Sequence, residues 1–553
     1  MDGVAARTVG ASAQSERHGG SPGRDARPRP GAGVATGNGP RQFGSGDGAG
    51  AGRAGPAPPR GEQTHGRLGI PERGMDPEEL LQVLERYRER DADWRGGRTW
   101  SLVYDAGPEH HALLQRVQAL FCAENGLNPM AFPSVRRMEA EVVAMTASLL
   151  HAPPQAVGTM TSGGTESILL AVKAYRDRAR ARWPWIRRPE IVAPATIHVA
   201  FAKAAHYFGV RLRTVPVGPD LRADVRAMRR AIGRNTIALA ASAPQYAHGV
   251  VDPIAELGEL AQRHDLPLHV DACFGGFLLP WLERLGRPVP PFDFRVPGVT
   301  SMSADLHKYG YAPKGASVVI YRDMGYLRHQ FFIATDSPLG VYASPTIQGT
   351  RSGAAIAAAW ASLCALGEEG MLRLAEEAVR TADRLRAGIA AIPELEVLGA
   401  PESTIVAYRS RVPEVDIYAV ADRLAARGWC VDRQQAPPCI HCTVNASNAR
   451  SVEAYLADLG AAVAEVRAQP SLRRQGEAAM YGMMARVPVR GLVRHAVRRF
   501  MERMYAPGAV LPELQALGEQ EADGAWLGLA RRYGERAIAV LDRLAALKRR
   551  WLG

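Results

Sequence analysis

Along residues 157–321, short apolar and β-branched runs alternate with longer segments whose apolar positions recur every three or four residues. The short runs predict strands at 157–160, 190–193, 211–217, 236–242, 267–271, 299–303 and 317–321. The longer segments predict helices at 168–182 and 198–208. Strands alternating with helices argue for a largely parallel sheet covered on both faces. Upstream, helices are predicted at 110–122 and 135–150, with an extended piece at 100–104 and a polar loop Asn125-Gly126-Leu127-Asn128-Pro129. Downstream, strands near 395–399, 403–409, 429–434 and 440–444 lie among helices at 415–427 and 451–466, which predicts a second, smaller α/β unit.

The two ends of the chain read differently. Residues 1–74 are mostly Gly, Ala, Pro and Arg, and cannot bury enough apolar surface to offset their ordering entropy, so a disordered extension is expected. Asp76 then reads as the N-cap of a helix, with Pro77 at its first position and Glu78 and Glu79 in its first turn. The expected plan is an arm with helices at 75–135, a large domain at 136–367, a small domain at 368–511 and a helical extension at 512–553.

Composition adds exclusions. At 553 residues, with 46% hydrophobic residues, the chain has the make-up of a multi-domain globular protein. The pattern shows no apolar run expected to span a bilayer and no secretory leader. Cys122, Cys273, Cys364, Cys430, Cys439 and Cys442 are scattered, as reduced thiols in a cytoplasm would be. Cys439-Ile440-His441-Cys442 has a metal-like spacing but lacks a second ligand pair, so no metal is expected. The net charge of +12 is nearly all arginine and is dispersed, without an aromatic-interleaved basic cluster, so no nucleic-acid partner is expected. The terminal Lys548-Arg549-Arg550-Trp551 allows peripheral membrane contact at most.

The candidate chemistry centres on Ser303-Ala304-Asp305-Leu306-His307-Lys308-Tyr309-Gly310-Tyr311-Ala312-Pro313-Lys314-Gly315. Lys173, Lys203, Lys308, Lys314 and Lys548 are the chain's five lysines, against 68 Lys and Arg together. A lysine kept where arginine serves nearly every other cationic role points to a task that needs a deprotonatable amine, such as an imine. Ser162-Gly163-Gly164-Thr165, between a strand and a helix, can cradle an oxyanion, and its spacing fits neither the P-loop nor the dinucleotide fingerprint. In His269-Val270-Asp271-Ala272-Cys273 a carboxylate stands at the C-terminal end of a buried strand, where α/β sheets gather their ligands. Pyridoxal 5'-phosphate needs a lysine, a phosphate cradle and an acid facing its ring nitrogen; Lys308, the Ser162–Thr165 turn and Asp271 supply all three.

These segments resemble the sphingosine-1-phosphate lyase family. So do Phe292-Asp293-Phe294-Arg295-Val296 and Tyr342-Ala343-Ser344-Pro345-Thr346-Ile347, and the similarity runs from about Thr99 to Tyr505. The resemblance implies a PLP-dependent transferase fold of type I: a large, mostly parallel seven-stranded sheet domain, a smaller C-terminal α/β domain, and a homodimer with its sites at the interface. It implies that Lys308 carries the imine, Asp271 pairs with the ring nitrogen and His198 stacks on the ring. Gly164, Thr165 and His307 would hold the cofactor phosphate, and Gly349 and Thr350 of the partner subunit would reach it, with Thr350 where the family usually has serine. Tyr104, Asn125, Tyr246 and Lys314 would line the reactive and substrate-phosphate end. Asn128 stands where the family has a phosphate-binding histidine. The implied reaction is retro-aldol cleavage of a small amphiphilic phosphorylated amine, a sphingoid base phosphate, to a long-chain aldehyde and phosphoethanolamine. One rival is an amino-acid decarboxylase of the same branch, which needs a cation for the substrate carboxylate. The other is an idle cofactor-binding scaffold, against which Lys308, Asp271 and His198 together argue.

Overall fold

The structure is a computed structural model, and it describes residues 69–89, 91–486 and 490–507. The 512–553 extension and nearly all of the 1–74 extension lie outside these residues. Asp76 does cap the first helix, Pro77–Arg88, accepting from the backbone N–H groups of Glu78 (2.9 Å) and Glu79 (3.2 Å).

Seven strands form the large sheet: β1 (Val157–Thr161), β2 (Glu190–Pro194), β3 (Arg211–Val215), β4 (Thr236–Ser242), β5 (Leu268–Asp271), β6 (Val299–Ala304) and β7 (Ser317–Tyr321). Their order is β1-β7-β6-β5-β4-β2-β3, and only β7 runs antiparallel to its neighbours. The central strands are buried along their whole length, which is why they read as continuous apolar runs rather than alternating ones. At the edge, β3 exposes Arg211 and Arg213, charges that protect an open ladder from pairing with another chain. Helices Gly164–Arg182, Ala200–Phe208, Val225–Ala231, Ile254–Arg263 and Leu279–Arg284 complete the crossovers. The last three were not read from the sequence, because each is short or lies in a stretch with competing turn residues. The helix expected at 168 begins at Gly164, so the small-residue turn is itself the helix's first turn.

A hairpin of β8 (Phe332–Ala334) and β9 (Tyr342–Ser344), also unanticipated, follows the large sheet. Next comes a helical run, Gly353–Ala390, broken at Gly367, whose φ of 56° and ψ of −172° no helix contains. By length and composition this run could cross a bilayer, contrary to the sequence expectation. The break interrupts it, however, and Ile356, Ala357, Ala358 and Ala359 are buried in the protein. The small domain is an antiparallel sheet, β10 (Leu395–Val397), β11 (Ile405–Ser410), β12 (Asp432–Gln435) and β13 (Pro438–Thr443), in the order β10-β11-β13-β12. Its core packs Trp100 tilted against Tyr455 (4.6 Å between centroids) and sets Trp429 edge-on to Tyr455 (5.1 Å). Trp100 comes from the expected extended piece, which bonds to the small domain through its N–H to the Cys430 carbonyl (3.0 Å). Tyr104 is thereby carried to the seam between the two cores.

Candidate active site

Parallel strands deliver their C-terminal ends to one edge of the sheet, and the chemistry lies there. β5 ends in Asp271, β6 runs into Asp305, His307 and Lys308, and β1 leads through Ser162 and Gly163 to the N-terminus of the Gly164–Arg182 helix. Lys308 Nζ stands 2.9 Å from Asp305 Oδ2, and Asp305 is buried. Burial alone would push the Lys308 ammonium down; the charge of Asp305, helped by Cys273 and Tyr104, reverses that and holds it above its ordinary range. Next to Lys308, the Tyr309 hydroxyl contacts Thr404 and donates to the Val444 carbonyl (2.6 Å), clamping the lysine turn onto the small domain.

Asp271 Oδ1 accepts from the Cys273 N–H (3.1 Å) and the Ser303 hydroxyl (3.3 Å), which fixes its direction. Behind it His269 is pushed down to about 4 by burial, against the pull of Asp271, and is neutral near pH 7. The cradle at Gly164 is tight: a Cβ there would lie 2.6 Å from Cys273 Sγ and 2.7 Å from Asp305 Oδ1. Glu166 braces the turn by accepting from the Ser162 N–H (2.7 Å) and, across the chain, from the Ile347 N–H (3.0 Å). A helix's first N–H groups have no intrahelical acceptor, so those at Gly164 and Thr165 present an anion site. His307 adjoins it: its Cε1 is 3.4 Å from where a Cβ on Gly163 would sit. Burial lowers the His307 imidazole, and its Nδ1 is buried without a partner among the described residues, as is Asp305 Oδ1. Buried orphan atoms beside a glycine-only cradle, an amine and a directed carboxylate fit pyridoxal 5'-phosphate.

His198 lies edge-on to Tyr246 at 6.1 Å between centroids. Tyr104 packs against Tyr309 (5.0 Å), and Lys314 Nζ lies over the Tyr104 ring at 5.2 Å while donating to the His307 carbonyl (3.2 Å). Although the Lys314 stem is exposed, burial of its head and repulsion from Lys308 bring its amine down to about 8. The Tyr246 hydroxyl donates to Asp432 Oδ2 (3.0 Å). Lys308, Lys314, Tyr104, Tyr246, His198, Asp271, His307, Gly164 and Thr165 are thus gathered around one cleft.

Asn125, Asn128, Gly349 and Thr350 form a second group. The Asn125 side chain accepts from the Leu127 N–H (3.1 Å), and its backbone bridges to Ser352. Asn128 is exposed, and its Oδ1 caps its own turn by accepting from the N–H groups of Met130 (3.0 Å) and Ala131 (3.2 Å). Thr350 is exposed nearby, and a Cβ on Gly349 would meet the Tyr342 hydroxyl at 2.7 Å. Leu127 and Met130 in the same loop, and Phe332, Ile333, Leu339 and Val341 in the β8–β9 hairpin and its turn, are exposed.

Sequence reasoning assigned no role to Asp305, Asp432 or His441; Asp305 stood in the quoted motif, whereas nothing in the sequence singled out Asp432. Cys439 and Cys442 are buried in β13, and residues three apart on a strand face opposite sides. A retained lysine can also serve structure: Lys173 donates to the carbonyls of His329 (2.9 Å), Gln330 (3.0 Å) and Phe331 (3.0 Å), a three-way contact suited to an ammonium.

Residues 77–411 match the pyridoxal-dependent decarboxylase conserved domain. The chain is 44% identical to a sphingosine-1-phosphate lyase of Arabidopsis thaliana over 444 residues, 79% of this chain and 81% of that one. Sphingosine-1-phosphate lyase 1 of Rattus norvegicus is 42% identical over 444 residues, 80% of this chain and 78% of that one. Among solved structures, a sphingosine-1-phosphate lyase of Burkholderia pseudomallei superposes with a TM-score of 0.70 at 43% identity, covering 74% of this chain and 96% of that one.

Proposed function

The chain belongs to the pyridoxal-dependent decarboxylase family and within it to the sphingosine-1-phosphate lyases, and from that membership we propose how its own residues cleave a phosphorylated sphingoid base. The observation that carries the reading is the Lys308–Asp305 contact of 2.9 Å, set between the Gly164 cradle and Asp271. When bound, pyridoxal 5'-phosphate supplies an electron-accepting ring for the pair released by a breaking bond. Lys308 Nζ is its anchoring amine, and Asp305 is the counter-charge that keeps that nitrogen's proton close at hand. Asp271 Oδ2 is left to face the ring nitrogen, since Oδ1 is held by Cys273 and Ser303. Gly164, Thr165 and His307 hold the phosphate, and His198 covers the ring.

Which bond breaks depends on which one is held perpendicular to the ring, so the residues at the far end act by orientation. Lys314 and Tyr104 bind the substrate there, and Tyr246 faces the hydroxyl whose proton must leave. Asn128 presents only its amide N–H₂ group, because its oxygen is taken by the turn. The exposed apolar side chains, with Leu339 95% and Met130 88% exposed, support a homodimer in which a second copy covers them. Gly349 and Thr350 of the partner subunit then complete the phosphate site. Six unpaired cysteines, two of them exposed, support a cytoplasmic setting.

The deciding experiment feeds the holoenzyme a phosphorylated sphingoid base and, in parallel, a panel of amino acids. Long-chain aldehyde with phosphoethanolamine is the expected product. Carbon dioxide from an amino acid, with no aldehyde from the lipid, would replace this reading with the decarboxylase.

A further inference from the structure

Retro-aldol cleavage must take a proton from the substrate hydroxyl, and in the proposed reading Tyr246 is the phenol that faces it. Burial pushes its ionisation far above the ordinary range, Asp432 and Tyr104 push it further, and Lys308 opposes them only in part. Tyrosinate is therefore absent near pH 7, so Tyr246 can accept a proton only while giving up its own. Its hydroxyl already donates that proton, at 3.0 Å, to Asp432 Oδ2 of the small domain. The other Asp432 oxygen accepts from Ser101 Oγ (3.2 Å).

Asp432 does not keep a proton well. Burial would raise its carboxyl, but His441, Tyr246 and Ser101 together bring it below the usual range. Behind it lies an imidazole with a lone pair to offer. His441 Nε2 is 2.8 Å from the Tyr246 carbonyl oxygen, which can only accept, so Nε2 carries the hydrogen. That assignment leaves the Nδ1 lone pair free. Nδ1 is buried without a hydrogen-bond partner among the described residues and stands 3.7 Å from Asp432 Oδ2. The neighbouring His248, pushed down to about 4 by burial and by His441, is neutral near pH 7 and does not compete for the proton.

We propose that Tyr246, Asp432 and His441 form a proton relay: Tyr246 takes the substrate hydroxyl proton while its own proton passes to a resting place on His441 Nδ1. The substrate O–H bond breaks and its proton joins Tyr246 Oη; the Tyr246 proton passes to Asp432 Oδ2 and from there to Nδ1. The electron pair of the O–H bond becomes the second bond of the aldehyde carbonyl. The pair of the broken carbon–carbon bond stays on the amine-bearing carbon. Two protons move, the substrate's to Tyr246 and the Tyr246 proton through Asp432 to His441; one positive charge is transferred in net, and His441 ends as an imidazolium facing the Asp432 carboxylate. The 3.7 Å gap closes to hydrogen-bond length when a proton lies between the two groups, since such contacts are often long in the resting enzyme. Tyr246 is the catalytic residue here, and Asp432 and His441 are positioning residues that act through it.

The inference rests on the lyase reading, and its test separates the two. Asp432→Asn is nearly isosteric, and His441→Gln keeps an N–H for the Tyr246 carbonyl while removing the proton acceptor. Nitrogen-15 histidine NMR of the holoenzyme, with His441 assigned by its loss in His441→Gln, should show the Nε2–H tautomer near neutral pH. Each variant should lose kcat by about a hundredfold or more, the lower end of what general-base catalysis contributes, with KM within about twofold. The proton inventory in mixed light and heavy water should be curved in the wild type and straight in both variants. An Nδ1–H tautomer, a kcat that survives either substitution, or a loss confined to KM would overturn the relay. A wild type that makes no aldehyde would instead bring down the lyase reading itself.

Discussion

Gly164→Ala puts one methyl group into the cofactor cradle, and the structure sets its cost. The new Cβ would lie 2.6 Å from Cys273 Sγ and 2.7 and 2.8 Å from the two oxygens of Asp305, where ordinary contact is 3.4–4 Å. Neither neighbour can step aside freely. Cys273 is buried against Ser303 (3.2 Å), and Asp305 is held by Lys308 at 2.9 Å. Relief has to come from moving the Asp305 carboxylate, which loosens its hold on the anchoring amine, or from shifting the helix start that offers its N–H groups. Overpacking of this kind costs about 1–3 kcal/mol, or roughly five- to 150-fold in an equilibrium. The loss should appear mainly in cofactor affinity, measured by absorbance titration of the cofactor-free protein, with a smaller thermal-melting advantage from added cofactor than in the wild type. Adding Cys273→Ala removes one of the clashes and should recover part of the affinity. Wild-type affinity in Gly164→Ala would mean that the phosphate does not sit on this turn, and the site would have to be redrawn.

Borohydride should fix the cofactor to the peptide containing Lys308, and trapping on Lys314 instead would exchange their roles. The Lys314 amine is brought down to about 8, and substrate-phosphate binding needs its charged form. The wild-type kcat/KM should therefore fall as pH rises through about 8; in Lys314→Arg, which stays charged, that limb should vanish while most turnover is lost, and a limb that persists would assign it elsewhere. In urea unfolding, His269 and His248, both held near 4, bind fewer protons folded than unfolded between there and the ordinary histidine value of about 6.5, so they make stability fall as the solution is acidified. Asp252, pushed up to about 6 by burial, works the other way over nearly the same window, but it is one group against two; stability that rises on acidification from pH 6.5 to 4 would contradict these assignments. Asn128→His should lower KM for the phosphorylated substrate, increasingly so below about pH 6.5 as the imidazole charges, and a flat comparison would exclude residue 128 from phosphate binding.

The sheet and the cofactor cleft were legible in the sequence because each part is a local signal with a topological consequence. Buried strands leave continuous apolar runs, a glycine turn before a helix marks an anion site, and Asp271 and Lys308 each follow the end of such a run. A parallel sheet brings those ends to one edge whatever the details of packing, so the sequence could place the residues together without showing any contact between them. The β8–β9 hairpin escaped because its three-residue strands carry too little periodicity to register. The pairing of Tyr246 with Asp432, 186 residues apart, escaped for a different reason. In β12, Asp-Arg-Gln-Gln reads as a solvated strand, and only the docking of the small domain turns its first carboxylate toward the cleft. Asn128 is the converse: its motif position pointed toward a phosphate, while its own turn claimed its oxygen. Local chemistry and strand order are written along the chain. Which charge faces which proton is settled by the packing of segments that share no local sequence, since direct electrostatic and hydrogen-bond partners are chosen by distance in space.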